Sequence, residues 1–221
     1  VLNFAVKHPE YSHLQLDSFC RKYKLNKQLY FFVPNQFWQH KNHIIVLKAI
    51  LLAKKDEPNI QVWFSGKEHD HRNPQYTIFL KEYINANGLE QNVKFLGFID
   101  RADQLALMRF AQAIIQPSLF EGWSTVVEDS KSIGQRIILS DLAVHKEQME
   151  DCKLDHKFFN STNEKELAKK MLDWYTDKWS LEQVPNIDYK NNKKRYGGIV
   201  KKLKKICGTE PRVVEILNKI D

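Results

Sequence analysis

Long apolar runs, cysteine and the common glycine-rich nucleotide motifs are scarce or missing from this 221-residue sequence. Each shortage removes a class of function. No run approaches the roughly 20 apolar residues that a membrane-spanning helix needs. The first residues, "VLNFAVKHPEYSHLQL", do not read as a basic-then-apolar secretion signal either. Cys20, Cys152 and Cys207 are odd in number and far apart, with no C-x-x-C pair. That speaks against a zinc or redox motif and for reduced, packing thiols in a cytoplasmic protein. G-x-G-x-x-G, the Walker lysine loop and the G-x-S-x-G elbow are all absent, so a dehydrogenase, a P-loop kinase or an α/β-hydrolase would lack its main working part. There is no internal repeat and no low-complexity segment.

What is present is ordinary globular material, 43% hydrophobic and 28% charged, enough for one sizeable core with appendages. The net charge of +7 is uneven. The stretch 189–208 carries Lys190, Lys193, Lys194, Arg195, Lys201, Lys202, Lys204 and Lys205 and no acid, and without it the rest is close to neutral. The basic character is therefore local rather than a nucleic-acid signature of the whole chain, and no aromatic platform is interleaved with the lysines. As a helix, this stretch would set Ile199, Leu203 and Ile206 opposite the lysines. Such a face is either simply solvated or rests peripherally on anionic lipid.

Short β-branched runs alternate with longer helical patterns. "LYFFVP" (Leu29–Pro34) reads as a buried strand, 41–55 as a helix apolar over much of its girth, and "IQVWFSG" (Ile60–Gly66) as the next strand. A helix over 74–86 follows. "NVKFLGF" and "AQAIIQPS" are further strands, separated by the helix "DQLALMRFA", for which Asp100 and Asp103 suggest a capping box. Then come a helix opened by "STVVED", the strand "QRIILS", a short helix near 143–149 and the strand "KFFN". From Asn160 the pattern is helical, with Leu167, Met171, Trp174 and Lys178 along one stripe and Asn163 and Glu166 spaced as a capping box. This alternation predicts an α/β fold, a doubly wound parallel sheet covered on both faces. Ligands of such sheets sit beyond the carboxyl ends of the strands, at the point where strand order reverses. That rule directs attention to "NQFWQHKNH", "SGKEHDHRNP", "GFIDRAD" and "PSLFEGWST".

In the first of these loops, Lys41 is expected in the first turn of a helix, where a cation opposes the dipole unless an anion binds. His40 and His43 lack the i, i+4 spacing of a metal pair, and "EHDHRNP" reads more simply as a solvated loop than as a metal site. In the last loop, Thr125 and Glu128 have capping-box spacing, which would turn Glu128 back onto the backbone. Glu121 precedes the helix beside Gly122, which would let backbone approach a ligand.

These residues resemble the signature of the retaining, GT-B-type glycosyltransferases of group 1 (family 4). "QPSLFEGWSTVVEDSKSIGQRIILSD" is similar to that family's "PS...EGFG...LEA...G.PV", with its two glutamates. "VPNQFWQHKNH" is similar to the strand and phosphate lysine, and "NVKFLGFIDRADQLALMRFAQAIIQPS" to "V.FLG......L...Y..A......PS". The resemblance runs from about Leu29 to the last helix. It implies one Rossmann-like half of a GT-B fold with C-terminal helices. The expected layout is an interdomain remnant at 1–24, a nucleotide-sugar-binding domain at 25–180 and a helical segment at 181–221. The chain would then be a fragment lacking an N-terminal acceptor-binding domain, inactive alone, cytoplasmic or peripheral at the membrane, and active in cell-surface polysaccharide synthesis. By resemblance, Lys41 neutralises the donor diphosphate and Glu121 faces the donor sugar, the two being the catalytic pair. Glu128 takes the ribose hydroxyls. Trp123, Ser124, Thr125 and Val126 supply backbone N–H groups, and Gly97 and Phe98 support the nucleobase. Gln36 stands where the family has an arginine. Six residues rather than seven separate Glu121 from Glu128. No cofactor or metal is implied, and there is no D-x-D triplet. The activity implied is transfer of a hexose from a nucleotide-diphosphate sugar with retention; a non-catalytic nucleotide-binding or scaffolding domain is the alternative.

Overall fold

Four strands are buried along their whole length, as a parallel sheet with helices on both faces requires. They are β1 (Tyr30–Val33), β2 (Gln61–Phe64), β4 (Ala113–Gln116) and β5 (Ile137–Ser140). β3 (Val93–Phe95) and β6 (His156–Phe159) are less covered and form the two edges. The computed structural model describes residues 6, 8–11, 14–25 and 29–177. The connector 181–188, the basic stretch 189–208, Lys178 and Cys207 lie outside the described residues.

The order in the six-stranded sheet is β3-β2-β1-β4-β5-β6, and every pairing is parallel. Order reverses between β1 and β4, so the crevice predicted for ligands opens beyond Val33 and Gln116. Alternate strand residues point to opposite faces. Phe31, Val33, Val62, Phe64, Ala113, Ile115 and Ile138 join α2 (His43–Ala53), α3 (Tyr76–Ala86) and α7 (Glu164–Tyr175) in one core. Tyr30, Phe32, Trp63, Ile114, Ile137 and Leu139 meet α1 (Leu16–Lys22), α4 (Arg101–Phe110), α5 (Thr125–Ile133) and α6 (Ala143–Met149) in the other. Trp63 stacks on Tyr30 at 3.6 Å, and both polar tips are satisfied, Trp63 Nε1–H by Gln61 Oε1 at 3.1 Å and Tyr30 O–H by the Leu107 carbonyl at 2.8 Å. Among the described residues no helix is long and apolar enough to cross a membrane.

The caps differ from the sequence reading. Asp100 precedes α4 but its side chain makes no capping bond. Asp103 instead accepts from Lys22 Nζ and, at 2.5 Å, from Tyr23 O–H, so it ties α1 to α4. A carboxylate offered two side-chain donors from a packed neighbour satisfies more donors there than by folding back on its own helix. At α7 half of the box forms. Asn163 Oδ1 accepts from Glu166 N at 3.1 Å, while Glu166 Oε2 reaches Asn160 N at 2.9 Å. The Asn163 N–H is already taken by the Asn160 carbonyl at 2.8 Å.

Candidate active site

Just beyond β1 the chain turns through Pro34–Trp38 into a short 3₁₀ turn (Gln39–Lys41) and then α2. Lys41 therefore closes the 3₁₀ turn rather than opening α2, and Asn42, at φ 57°, makes the junction. Asn42 holds it by donating from Nδ2 to the carbonyls of Pro117 (3.1 Å) and Ser161 (2.9 Å). The charge conflict expected for Lys41 is answered from the loop after β4. Its Nζ lies 2.6 Å from Glu121 Oε1, with the two side chains only 14% and 9% exposed.

Glu121 is held by more than Lys41. Gln116 Nε2 and Ser118 Oγ each donate to the same Oε1 at 2.7 Å. Gln116 is fixed in turn by Asn35 Nδ2, which donates to its Oε1 at 2.8 Å. Ser118 is anchored through its carbonyl, which accepts from Ser140 Oγ at 2.6 Å. The His145 imidazole donates from Nδ1 to the Ser140 carbonyl at 2.8 Å. Burial, opposed by that bond, holds the His145 pKa below its ordinary value of 6.5. Its unprotonated Nε2 is buried without a partner among the described residues. Lys41, Gln116 and Ser118 thus converge on one carboxylate oxygen, the last two braced by Asn35 and Ser140, and a group so restrained is preorganised.

Helix α5 faces this pair. Its N-cap is Ser124, not Thr125, and Ser124 Oγ accepts from Val127 N at a long 3.5 Å. Glu128 is therefore one residue too late for a capping box. The N-cap N–H, that of Ser124, is bonded instead to Gln148 Oε1 at 3.1 Å. Gln148 Nε2 donates to the Ser124 carbonyl and to Glu128 Oε1, both at 3.0 Å, so this buried amide from α6 clamps the start of α5. Glu128, with Lys131 Nζ at 3.2 Å, belongs to that structural network. The neighbouring carboxylate behaves otherwise. Asp129, 1% exposed, lines the cleft; its Oδ1 accepts from His8 Nε2 at 2.8 Å and from Arg101 Nη2 at 2.5 Å. Its Oδ2 is buried with no partner among the described residues.

The resulting cleft, about 290 Å³, is walled by Pro34–Gln36, Trp38, Lys41, Glu121, Trp123–Val126 and Asp129, with Arg101 and Gln104 from α4. It brings together seven of the ten residues expected from the sequence, namely Gln36, Lys41, Glu121, Trp123, Ser124, Thr125 and Val126, while Glu128 lies outside the wall and bonds Gln148. Gln36 Oε1 is occupied by Lys67 N at 2.8 Å. Since the Ser124 N–H is already bonded, the first-turn donors of α5 without a partner among the described residues are those of Thr125 and Val126. Gly97 and Phe98 lie apart, beyond β3 and outside the cleft wall; Gly97 has φ 69° and Phe98 is 76% exposed.

Sequence reasoning missed Asn35, Gln116, Gln148, Arg101, His8 and Asp129. One signal was available: seven residues separate Glu121 from Asp129, the spacing that Glu128 lacks. The histidines near Lys41 do other work. His43 is fully buried and stacked on Phe37 at 4.6 Å, and burial drives its pKa down to about 3. Among the described residues no group of three or more His, Cys, Asp or Glu could hold a metal ion. Asp70, expected in a solvated loop, is buried and accepts from the N–H groups of Gln39 and Arg72, both at 3.0 Å.

The sequence matches the family described as glycosyl transferases group 1 over residues 18–195. The chain belongs to that family. No curated protein matches it by sequence. Solved structures share the fold at low identity. Anabaena Alr3699/HepE, in complex with UDP and glucose, gives a TM-score of 0.71 at 16% identity, covering 87% of this chain and 51% of that one. Sucrose-phosphate synthase from Thermosynechococcus elongatus gives 0.62 at 16%, covering 95% and 50%. The C-terminal domain of the group 1 protein LpcC from Francisella tularensis gives 0.61 at 15%, covering 76% and 86%. The chain thus spans about half the length of the first two. Its Rossmann-like sheet is the architecture expected for one half of a GT-B glycosyltransferase.

Proposed function

We propose that this chain is the donor-binding half of a hexosyltransferase that moves a sugar from a nucleotide-diphosphate donor to an acceptor with retention. The acceptor domain would lie outside the chain. One observation carries the reading: Lys41 and Glu121 are locked together at 2.6 Å where strand order reverses, facing the first turn of α5. A departing diphosphate needs positive charge and N–H donors arranged beforehand, which lowers the barrier without a protein nucleophile. Lys41 with the Thr125 and Val126 N–H groups would meet that charge. Glu121 spends Oε1 on three donors, which leaves Oε2 for the hydroxyls of the sugar. For the ribose we assign Asp129 in place of Glu128, because Asp129 has a place in the cleft wall and Glu128 does not. No cofactor enters the proposed reaction.

Calorimetric titration with UDP, GDP and their sugars tests the site. We expect one nucleotide to bind and Lys41→Ala to weaken it by roughly tenfold or more. Absence of binding by any of them, or an unchanged affinity in Lys41→Ala, would sink the assignment. Turnover is then read by mass spectrometry of the full-length protein with candidate acceptors. Binding without turnover would favour a non-catalytic nucleotide-binding domain instead.

A further inference from the structure

We infer that Arg101 is the second diphosphate-binding cation of this site, held ready by Asp129 until the donor arrives. The inference rests on the donor-site reading above and goes beyond it, since nothing in the sequence motifs points to this residue.

A nucleoside diphosphate brings two or more negative charges, and Lys41 alone supplies one positive charge among the loops beyond β1 and β4. Gln36 is neutral and its side-chain oxygen is already committed to Lys67 N. Arg101 is a guanidinium in the cleft wall, standing at the first position of α4 and 39% exposed on its side chain. Among the described residues it uses two of its donor nitrogens, Nη2 to Asp129 Oδ1 at 2.5 Å and Nη1 to Gln104 Oε1 at 2.6 Å. An arginine has five N–H donors in a planar fork, so donors remain for a phosphate.

In its present state the cleft is close to electrically balanced, Lys41 against Glu121 and Arg101 against Asp129. Each carboxylate fixes its cation in position, and a diphosphate competes for both. The arrangement at Asp129 makes that exchange possible without stranding a buried charge. His8 Nε2 lies 2.8 Å from the same Oδ1 that Arg101 uses, and the His8–Asp129 pair is almost completely buried. When the guanidinium turns to the phosphates, His8 keeps Asp129 bonded. A buried carboxylate losing its sole partner would be costly; here a second partner is already in place.

The test uses UDP, UMP, uridine and inorganic pyrophosphate, each titrated calorimetrically into the chain and its Arg101→Gln and Arg101→Lys variants. Arg101→Gln is expected to weaken UDP and pyrophosphate by roughly tenfold to a hundredfold, as loss of a charge-assisted contact does. UMP should lose less and uridine nothing. Arg101→Lys should recover part of the loss, because it restores the charge but not the fork. A thermal melt of each variant within a few degrees of the unaltered chain separates contact loss from misfolding. UDP binding unchanged in Arg101→Gln overturns the inference while leaving the donor site standing. Equal weakening of uridine and UDP also overturns it, because the damage would then be general. Failure of the unaltered chain to bind any of the four or the matching guanine compounds removes the donor-site reading itself.

Discussion

Replacing Gly66 by alanine isolates how the sheet positions the loop that carries Lys41. Gly66 follows β2 with φ 152°, and its N–H donates to the Gly97 carbonyl at 2.9 Å. A Cβ built there would stand 2.2 Å from the Asn35 carbonyl oxygen, 2.7 Å from its carbon and 2.9 Å from Gln36 Cα. All three are backbone atoms, so no side-chain rotation relieves the clash. The loop after β1 must move by about 1 Å to reach ordinary contact distance, and residue 66 must keep a φ that alanine resists. Backbone strain of this kind costs about 1–3 kcal/mol, and the forced repacking adds a further ~1–3 kcal/mol. We expect Gly66→Ala to lose ~3 kcal/mol, lowering the urea midpoint by about 1–2 M at ordinary slopes. Asn35 holds Gln116, and Gln116 holds Glu121, so nucleotide affinity should fall together with stability. An unchanged midpoint with unchanged affinity would show that the close approach of the two loops does not shape the site.

Two further outcomes follow from the site. Asp129→Ala should weaken nucleotide binding by roughly tenfold, whereas Glu128→Gln should cost about 1 kcal/mol of stability and leave affinity nearly intact; calorimetry and urea unfolding read the two, and the reverse pattern would restore Glu128 as the ligand. Acid should destabilise the fold through His43, which stays neutral in the folded chain down to about pH 3 but protonates near its ordinary 6.5 when unfolded. The unfolded state then binds more protons as pH falls below 6.5, so stability, unaffected above that value, drops by about 1.4 kcal/mol per pH unit until near pH 3. Burial displaces His145 in the same direction and adds to the slope. His43→Phe, which preserves the stack on Phe37, should flatten the pH dependence of the urea midpoint, and an equal slope in the variant would refute the attribution.

Much of this protein is legible in its sequence for local reasons. Four-residue apolar runs bounded by turns, alternating with 3.6-period stretches, determine where strands and helices fall, and the alternation alone implies a parallel sheet. That sheet in turn sends ligands to the strand ends, which is how Lys41 and Glu121 were found although they are 80 residues apart in the chain. Tertiary packing decided what local pattern could not. Glu128 and Asp129 are adjacent and chemically alike, yet successive side chains on a helix point about 100° apart, so the seating of α5 turns one toward Gln148 and the other into the cleft. Cap spacing predicted bonds for Glu128 and Asp103 that their side chains gave up, because Gln148 from α6 and Lys22 with Tyr23 from the α1 region offered buried partners. Arg101 and His8 enter the site from 28 and 121 residues away, as side chains with no motif of their own. The sequence by itself determined the layers of the fold and the two ends of one ion pair. Which carboxylate and which second cation complete the site was decided only when the helices packed, since that choice depends on rotation about a helix axis and on contacts between distant segments.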